Sequence, residues 1–215
     1  MKELIDAIQK NDPATVVALL DADPSLLHAK SGNTSAILVA LYHGRPEIAR
    51  LFLDRGAELS FPEACAIGDG RRVHELMEGE PSLVNAYSDD GYPALGLAIF
   101  FRQPAIAREL IERGADVNAA ARNSQKVAPI HAAASVGDRE MVRLLLERGA
   151  DANARQERGF MALQTAALHG DIEMAAMLIR HGADPRASSE DEKTAEDLAN
   201  EKGQTKFVEW LHSQY

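Results

Sequence analysis

The chain has 215 residues, 46% of them hydrophobic but only 5% aromatic, and a formal net charge of −10 at pH 7. Its 33 acidic against 23 basic side chains argue against phosphate-backbone binding, hence against nucleic acid, and against an anionic membrane surface. A single cysteine, Cys65, rules out an internal disulfide, and no run is long and apolar enough to span a bilayer, so a cytoplasmic protein is expected.

Met1 to Lys10 carries Lys2, Glu3 and Asp6 and lacks the apolar segment of a secretory leader. From there the chain reads as a succession of similar units. Residues 2–30 form a cap-like opening unit that ends in DADPSLLHA. Residues 31–60 hold NTSAILVALYHG, a helix pattern closed by Gly44, then an aliphatic run ending in LDRGAELS. Residues 61–87 diverge: they lack a G-A-D phrase and end in EGEPSLVNA, which resembles DADPSLLHA. This weak unit is expected to be the first to open.

Residues 88–118 return to the stronger pattern with GYPALGLAIFFR, where Arg102 stands in place of a helix-ending glycine, and IERGADVNA. Residues 119–153 are the clearest unit, KVAPIHAAASVG followed by RLLLERGADANA. Pro129 suits a first helical turn, Ala132 to Ala134 continue it with little bulk, and Gly137 ends it. Met141, Val142, Leu144, Leu145 and Leu146 then form the apolar stripe of a second helix, closed by Gly149. Residues 154–187 repeat this as GFMALQTAALHG and MLIRHGADPRA, and 188–215 close the chain with the more polar KTAEDLANEKGQTKFVEWL. The marker glycines Gly56, Gly114, Gly149 and Gly182 stand 58, 35 and 33 residues apart, the first interval spanning the divergent unit. A period near 33 with two helices per unit predicts a stacked array.

The phrases KVAPIHAAASVG and LERGADANA closely resemble the ankyrin repeat, and the resemblance covers essentially the whole chain. It implies an all-α solenoid of stacked helix-turn-helix units with projecting hairpin loops, one array of about seven units over residues 1–215. It also implies a non-enzymatic scaffold or adaptor that binds a protein or peptide partner through a concave groove. A regulatory or targeting subunit of a separate enzyme, and a secreted effector, are the alternative readings. A monomer is expected, with self-association left open.

Chemistry finds little support in the sequence. Of seven histidines, His131 lies where the family's histidine bonds the hairpin to the helix start, and His181 sits near a helix C-terminus that favours positive charge. No H-x-x-x-H pair or Cys/His cluster has metal-ligand spacing, so no metal site or cofactor is assigned. Cys65 falls at a core position, where an inert thiol is expected. Gly68-Asp69-Gly70 ends a helix, the reverse of a phosphate cradle, and no catalytic residue is assigned.

The resemblance also locates a partner-binding face, on the residues before each helix-ending glycine and after each hairpin glycine. These are Tyr42, His43, Asp69, Phe100, Phe101, Ser135, Val136, Leu168 and His169, joined by Thr34, Tyr92, Val127 and Phe160. Successive helical residues point about 100° apart, so of Phe100 and Phe101 at least one is expected in the core. The remaining aromatic and aliphatic side chains are expected to line one groove.

Overall fold

The computed structural model describes residues 1–214. Among them are fourteen α-helices and a single two-stranded hairpin, so the fold is all-α. The chain divides into two compact units, Met1–Arg113 and Gly114–Tyr215. In the first, the helices pair as α1 (Lys2–Gln9) with α2 (Pro13–Ala22) and α3 (Ala36–Tyr42) with α4 (Pro46–Asp54). They continue as α5 (Phe61–Ile67) with α6 (Gly70–Gly79) and α7 (Ala94–Phe100) with α8 (Pro104–Glu112). The leading helices stack in order, α1 on α3, α3 on α5 and α5 on α7.

Burial follows from that layering. A leading helix has neighbours on several sides, so Ala36 to Leu41 in α3 and Phe61 to Ala66 in α5 are buried all round. A following helix keeps one face in water: α4 buries Ile48, Ala49 and Phe52 and exposes Glu47 and Arg50. Asp12 and Asp69 cap α2 and α6 by accepting from the N–H groups of Thr15 and Arg72, a contact that contributes about 1 kcal/mol.

Each turn inside a helix pair passes through the left-handed region, where glycine is favoured. Gly44 takes φ 66° and Arg102 takes φ 57°, the same conformation without glycine's freedom. The arginine therefore leaves the turn unaltered. Holding a side chain there costs roughly 1–2 kcal/mol.

The two phrases DADPSLLHA and EGEPSLVNA fold alike, as 3₁₀ turns over Pro24–His28 and Pro81–Asn85. Each carries the chain from a following helix into a projecting finger. The first finger pairs β1 (Lys30–Ser31) with β2 (Thr34–Ser35) around the two-residue turn Gly32-Asn33. The second is closed by the bridge between Tyr87 and Pro93 and by the Ser88 N–H donating to the Tyr92 carbonyl at 2.9 Å. Between α4 and α5 only a short link, residues 55–60, joins the helices, and it forms no finger.

The second unit pairs α9 (Pro129–Ser135) with α10 (Arg139–Glu147), α11 (Ala162–His169) with α12 (Ile172–Arg180), and α13 (Ala195–Glu201) with α14 (Thr205–His212). Here α9 stacks on α11 and α11 on α13. Adjacent fingers bond directly, Glu157 N–H to the Gln125 carbonyl at 2.7 Å and Glu190 N–H to the Arg158 carbonyl at 2.9 Å. The G-A-D-x-N phrase adds a ladder: Asn118 donates to the Gly149 carbonyl and accepts from Asp151 N–H. Asn153 does the same to Gly182 and Asp184 one unit on.

Candidate functional site

The ends of α3 and α7 bring four aromatic side chains of the first unit together. Tyr42 closes α3, Phe100 and Phe101 close α7, and Tyr92 comes from the adjoining finger. Tyr42 lies 5.4 Å from Phe101 and 6.1 Å from Tyr92, centroid to centroid, and Phe100 meets Phe101 edge-on at 5.2 Å. Such pairs contribute about 0.5–1.5 kcal/mol beyond area burial.

Tyr42 is 37% exposed and Phe100 44% exposed, while Phe101 and Tyr92 are half-buried. The expectation that one phenylalanine belongs to the core is therefore corrected. Leu97, Ala98 and Ile99 already fill the buried sides of α7, and both phenylalanines fall at its C-terminal end, where they cover each other and Tyr42.

Beneath the rings sits a carboxylate. Asp90 accepts from the Ser88 hydroxyl at 2.5 Å, from the Thr34 hydroxyl at 3.3 Å and from the Tyr42 hydroxyl. Burial first, and the Asp90 charge second, push the Tyr42 phenol well above its ordinary range, so it remains a neutral donor. The tyrosine thus presents its ring outward while its hydroxyl is tied to the finger. Of the other predicted residues in this unit, His43 is exposed at the end of α3. Asp69 is occupied as the cap of α6.

In the second unit Val127 and Phe160 line one open depression of about 410 Å³, together with Gln125, Gln156, Arg158 and Asp191. Val136 and Leu168 are half-buried, and Ser135 and His169 are exposed. The Ser135 hydroxyl turns back to the Ala132 carbonyl at 2.8 Å. The structure therefore assembles Tyr42, Tyr92, Phe100 and Phe101 in the first unit and Val127 with Phe160 in the second.

His131 performs the bond expected of it. It is 2% exposed; its Nδ1 accepts from Ala128 N–H at 3.0 Å and its Nε2–H donates to the Ala154 carbonyl at 2.8 Å. Burial lowers its pKa against the opposing effects of the Ala154 carbonyl and Asp151, which fits a neutral ring. Gln164 does the same work in the next pair, accepting from Met161 N–H at 2.9 Å and donating to the Lys193 carbonyl at 2.6 Å. Sequence reasoning missed Gln164, although it stands in the phrase where His131 stands. It also missed the asparagine ladder, whose signal was the repeated G-A-D-x-N.

Cys65 is fully buried, and burial, with a lesser effect of Glu109, pushes its thiol far up. A thiol so placed is a poor nucleophile. Among the described residues no cluster of three or more His, Cys, Asp or Glu side chains is placed to hold a metal. No helix among them is long and apolar enough to cross a membrane.

The profile of the family described as ankyrin repeats, in three copies, matches residues 4–121, 62–156 and 130–215. The chain is 31% identical over 148 residues to human ankyrin repeat and SOCS box protein 16, covering 65% of this chain and 32% of that one. It is 32% identical over 130 residues to human ankyrin repeat and KH domain-containing protein 1, covering 60% and 4%. With rat ankyrin repeat and SAM domain-containing protein 6 it shares 32% identity over 105 residues, covering 46% and 11%. The chain thus matches about a third or less of the length of each relative.

Proposed function

The chain belongs to the ankyrin-repeat family, and from that premise we propose that it is a non-enzymatic scaffold or adaptor that docks a protein partner on its finger-side face. Ankyrin repeats are in general protein–protein interaction modules. The observation that carries the finer reading is the aromatic cluster of Tyr42, Tyr92, Phe100 and Phe101. Two of its rings are exposed on an acidic protein, where a merely solvated surface would carry Lys or Glu. Rings already packed on one another lose little freedom on binding, and each such anchor contributes roughly 2 kcal/mol or more.

The test compares proteins captured from source lysate by the native chain and by a Tyr42→Ala, Phe100→Ala, Phe101→Ala variant of unchanged circular dichroism. A partner held by the native chain and lost by the variant supports the assignment. A partner held equally by both moves the site to another face. Light scattering of the native chain separates a monomer from a self-associating form.

A further inference from the structure

The missing finger between α4 and α5 leaves a gap between the β1–β2 finger and the one at 87–93. Side chains span it. Lys30 reaches Asp89 at 2.5 Å and Thr34 reaches Asp90 at 3.3 Å, so one finger is tied to the other. Further along, the Tyr42 ring at the end of α3 meets the rings of Tyr92 and Phe101. All four contacts join residues 30–42 to residues 89–101, although α5 stands between α3 and α7 in the stack.

The sequence of α5 explains how they can pass over it. The turns after α3, α5 and α7 enter the left-handed region at Gly44, Gly68 and Arg102. Counted back from those residues, Ala66 stands where Tyr42 and Phe100 stand in the flanking units. Its side chain is a methyl group, which leaves room for rings from both sides to close above it. Ala66 is 1% exposed, against 37% for Tyr42 and 44% for Phe100. A unit with no finger and no large side chain here is therefore covered by its neighbours.

That cover is loosely seated. The Lys30 and Asp89 side chains are 51% and 67% exposed, and an ion pair so placed contributes little. Between the two fingers and the start of α5 lies a cavity of about 230 Å³, lined in part by Ser35, Ser60, Pro62 and Ser88. A segment held by exposed polar contacts above a void opens at lower free energy than a packed core.

We propose that the finger at residues 87–93 is a lid over α5, latched to the first finger by Lys30 and Thr34, which opens locally while the helix pairs stay folded. Closed, it brings Tyr92 against Tyr42 and completes the aromatic face. Open, it parts those rings and uncovers the end of α5. A partner that needs all the rings binds the closed form and holds the lid shut, a consequence that rests on the docking face proposed above.

Native-state hydrogen exchange of the full chain, with no partner present, tests the lid. Lys30→Gln combined with Thr34→Val removes both latch contacts and leaves every residue of the lid in place. The informative amides are Ser88 in the lid, bonded to the Tyr92 carbonyl, and Ala66 in α5. Once uncovered, the last turn of this seven-residue helix frays, so Ala66 reports the same opening. Leu110 in α8 and Ala133 in α9 serve as references. The variant is expected to speed exchange at Ser88 and Ala66 together, about 5-fold for two weak contacts, and to leave Leu110 and Ala133 unchanged. Unchanged rates at Ser88 and Ala66 overturn the proposal. Faster exchange at Ser88 alone shows that the finger does not cover α5, and overturns it too. Equal acceleration at Leu110 means that the whole unit opens, which overturns a local lid. Since no partner enters the measurement, its failure and a failure of the aromatic docking face are distinguishable.

Discussion

Replacing His131 tests the account of how a finger is fastened to its helix. His131→Ala removes two hydrogen bonds of a side chain that is 2% exposed, and it leaves the Ala128 N–H, in a residue 4% exposed, without its acceptor. Two lost bonds at about 1 kcal/mol each, with an orphaned donor at 1–3 kcal/mol, give a loss of about 2–4 kcal/mol after allowing for overlap. His131→Gln keeps both bonds in the manner of Gln164 and is expected to cost less than about 1 kcal/mol. Acidity separates the two states further. Burial lowers the folded pKa of His131, whereas the unfolded imidazole keeps a pKa of about 6.5. Below about pH 6.5 the unfolded chain takes up the proton and the folded chain does not, so stability present above that pH is lost as the pH falls. The slope is at most about 1.4 kcal/mol per pH unit, until the folded pKa is reached. Urea unfolding of native and His131→Gln chains between about pH 8 and about pH 5 measures it. The difference between the two curves isolates His131, since the other histidines are common to both. A difference independent of pH, or a His131→Gln variant as unstable as His131→Ala, would refute the reasoning.

Three further outcomes are expected. Arg102→Gly is expected to stabilise the chain: relief of roughly 1–2 kcal/mol at φ 57°, less about 0.4–1 kcal/mol for the looser unfolded chain, leaves about 0.5–1 kcal/mol in urea unfolding. A loss of stability would show that the arginine's contacts outweigh its strain. Cys65 is expected to stay unmodified by a thiol reagent in the native fold and to react once urea unfolds it, because it is fully buried with its pKa raised. Stoichiometric labelling of the native chain would contradict this. Amides of α6, which buries only Val73 and Met77, are expected to exchange at least about 10-fold faster than those of α10, which buries Met141, Val142, Leu145 and Leu146. Equal protection would remove the divergent unit as the weak point.

The sequence by itself determined the helix pairs, the order of strong and divergent units and the role of His131. Those features repeat, and they depend on residues a few positions apart: a proline in a first turn, a histidine three residues after the N–H it accepts from, an apolar stripe along one helix. Gln164 and the asparagine ladder were legible too, but only by treating a phrase as a set of bonds and asking which other side chain makes them. Tertiary structure decided the rest. Whether Phe100 and Phe101 are core or surface depends on how far the layer around α7 reaches, and Leu97 to Ile99 fill it before they arrive. The gap between fingers depends on residues 30 and 89 meeting across a unit that lacks one, a contact spanning 59 positions with no local pattern. Glu63 reads in sequence as an ordinary first-turn carboxylate. That it bonds Ser60 at the helix start but, unlike His131 and Gln164, cannot donate to a finger carbonyl becomes evident only beside those two, because hydrogen-bond satisfaction is a property of the whole neighbourhood and not of the residue.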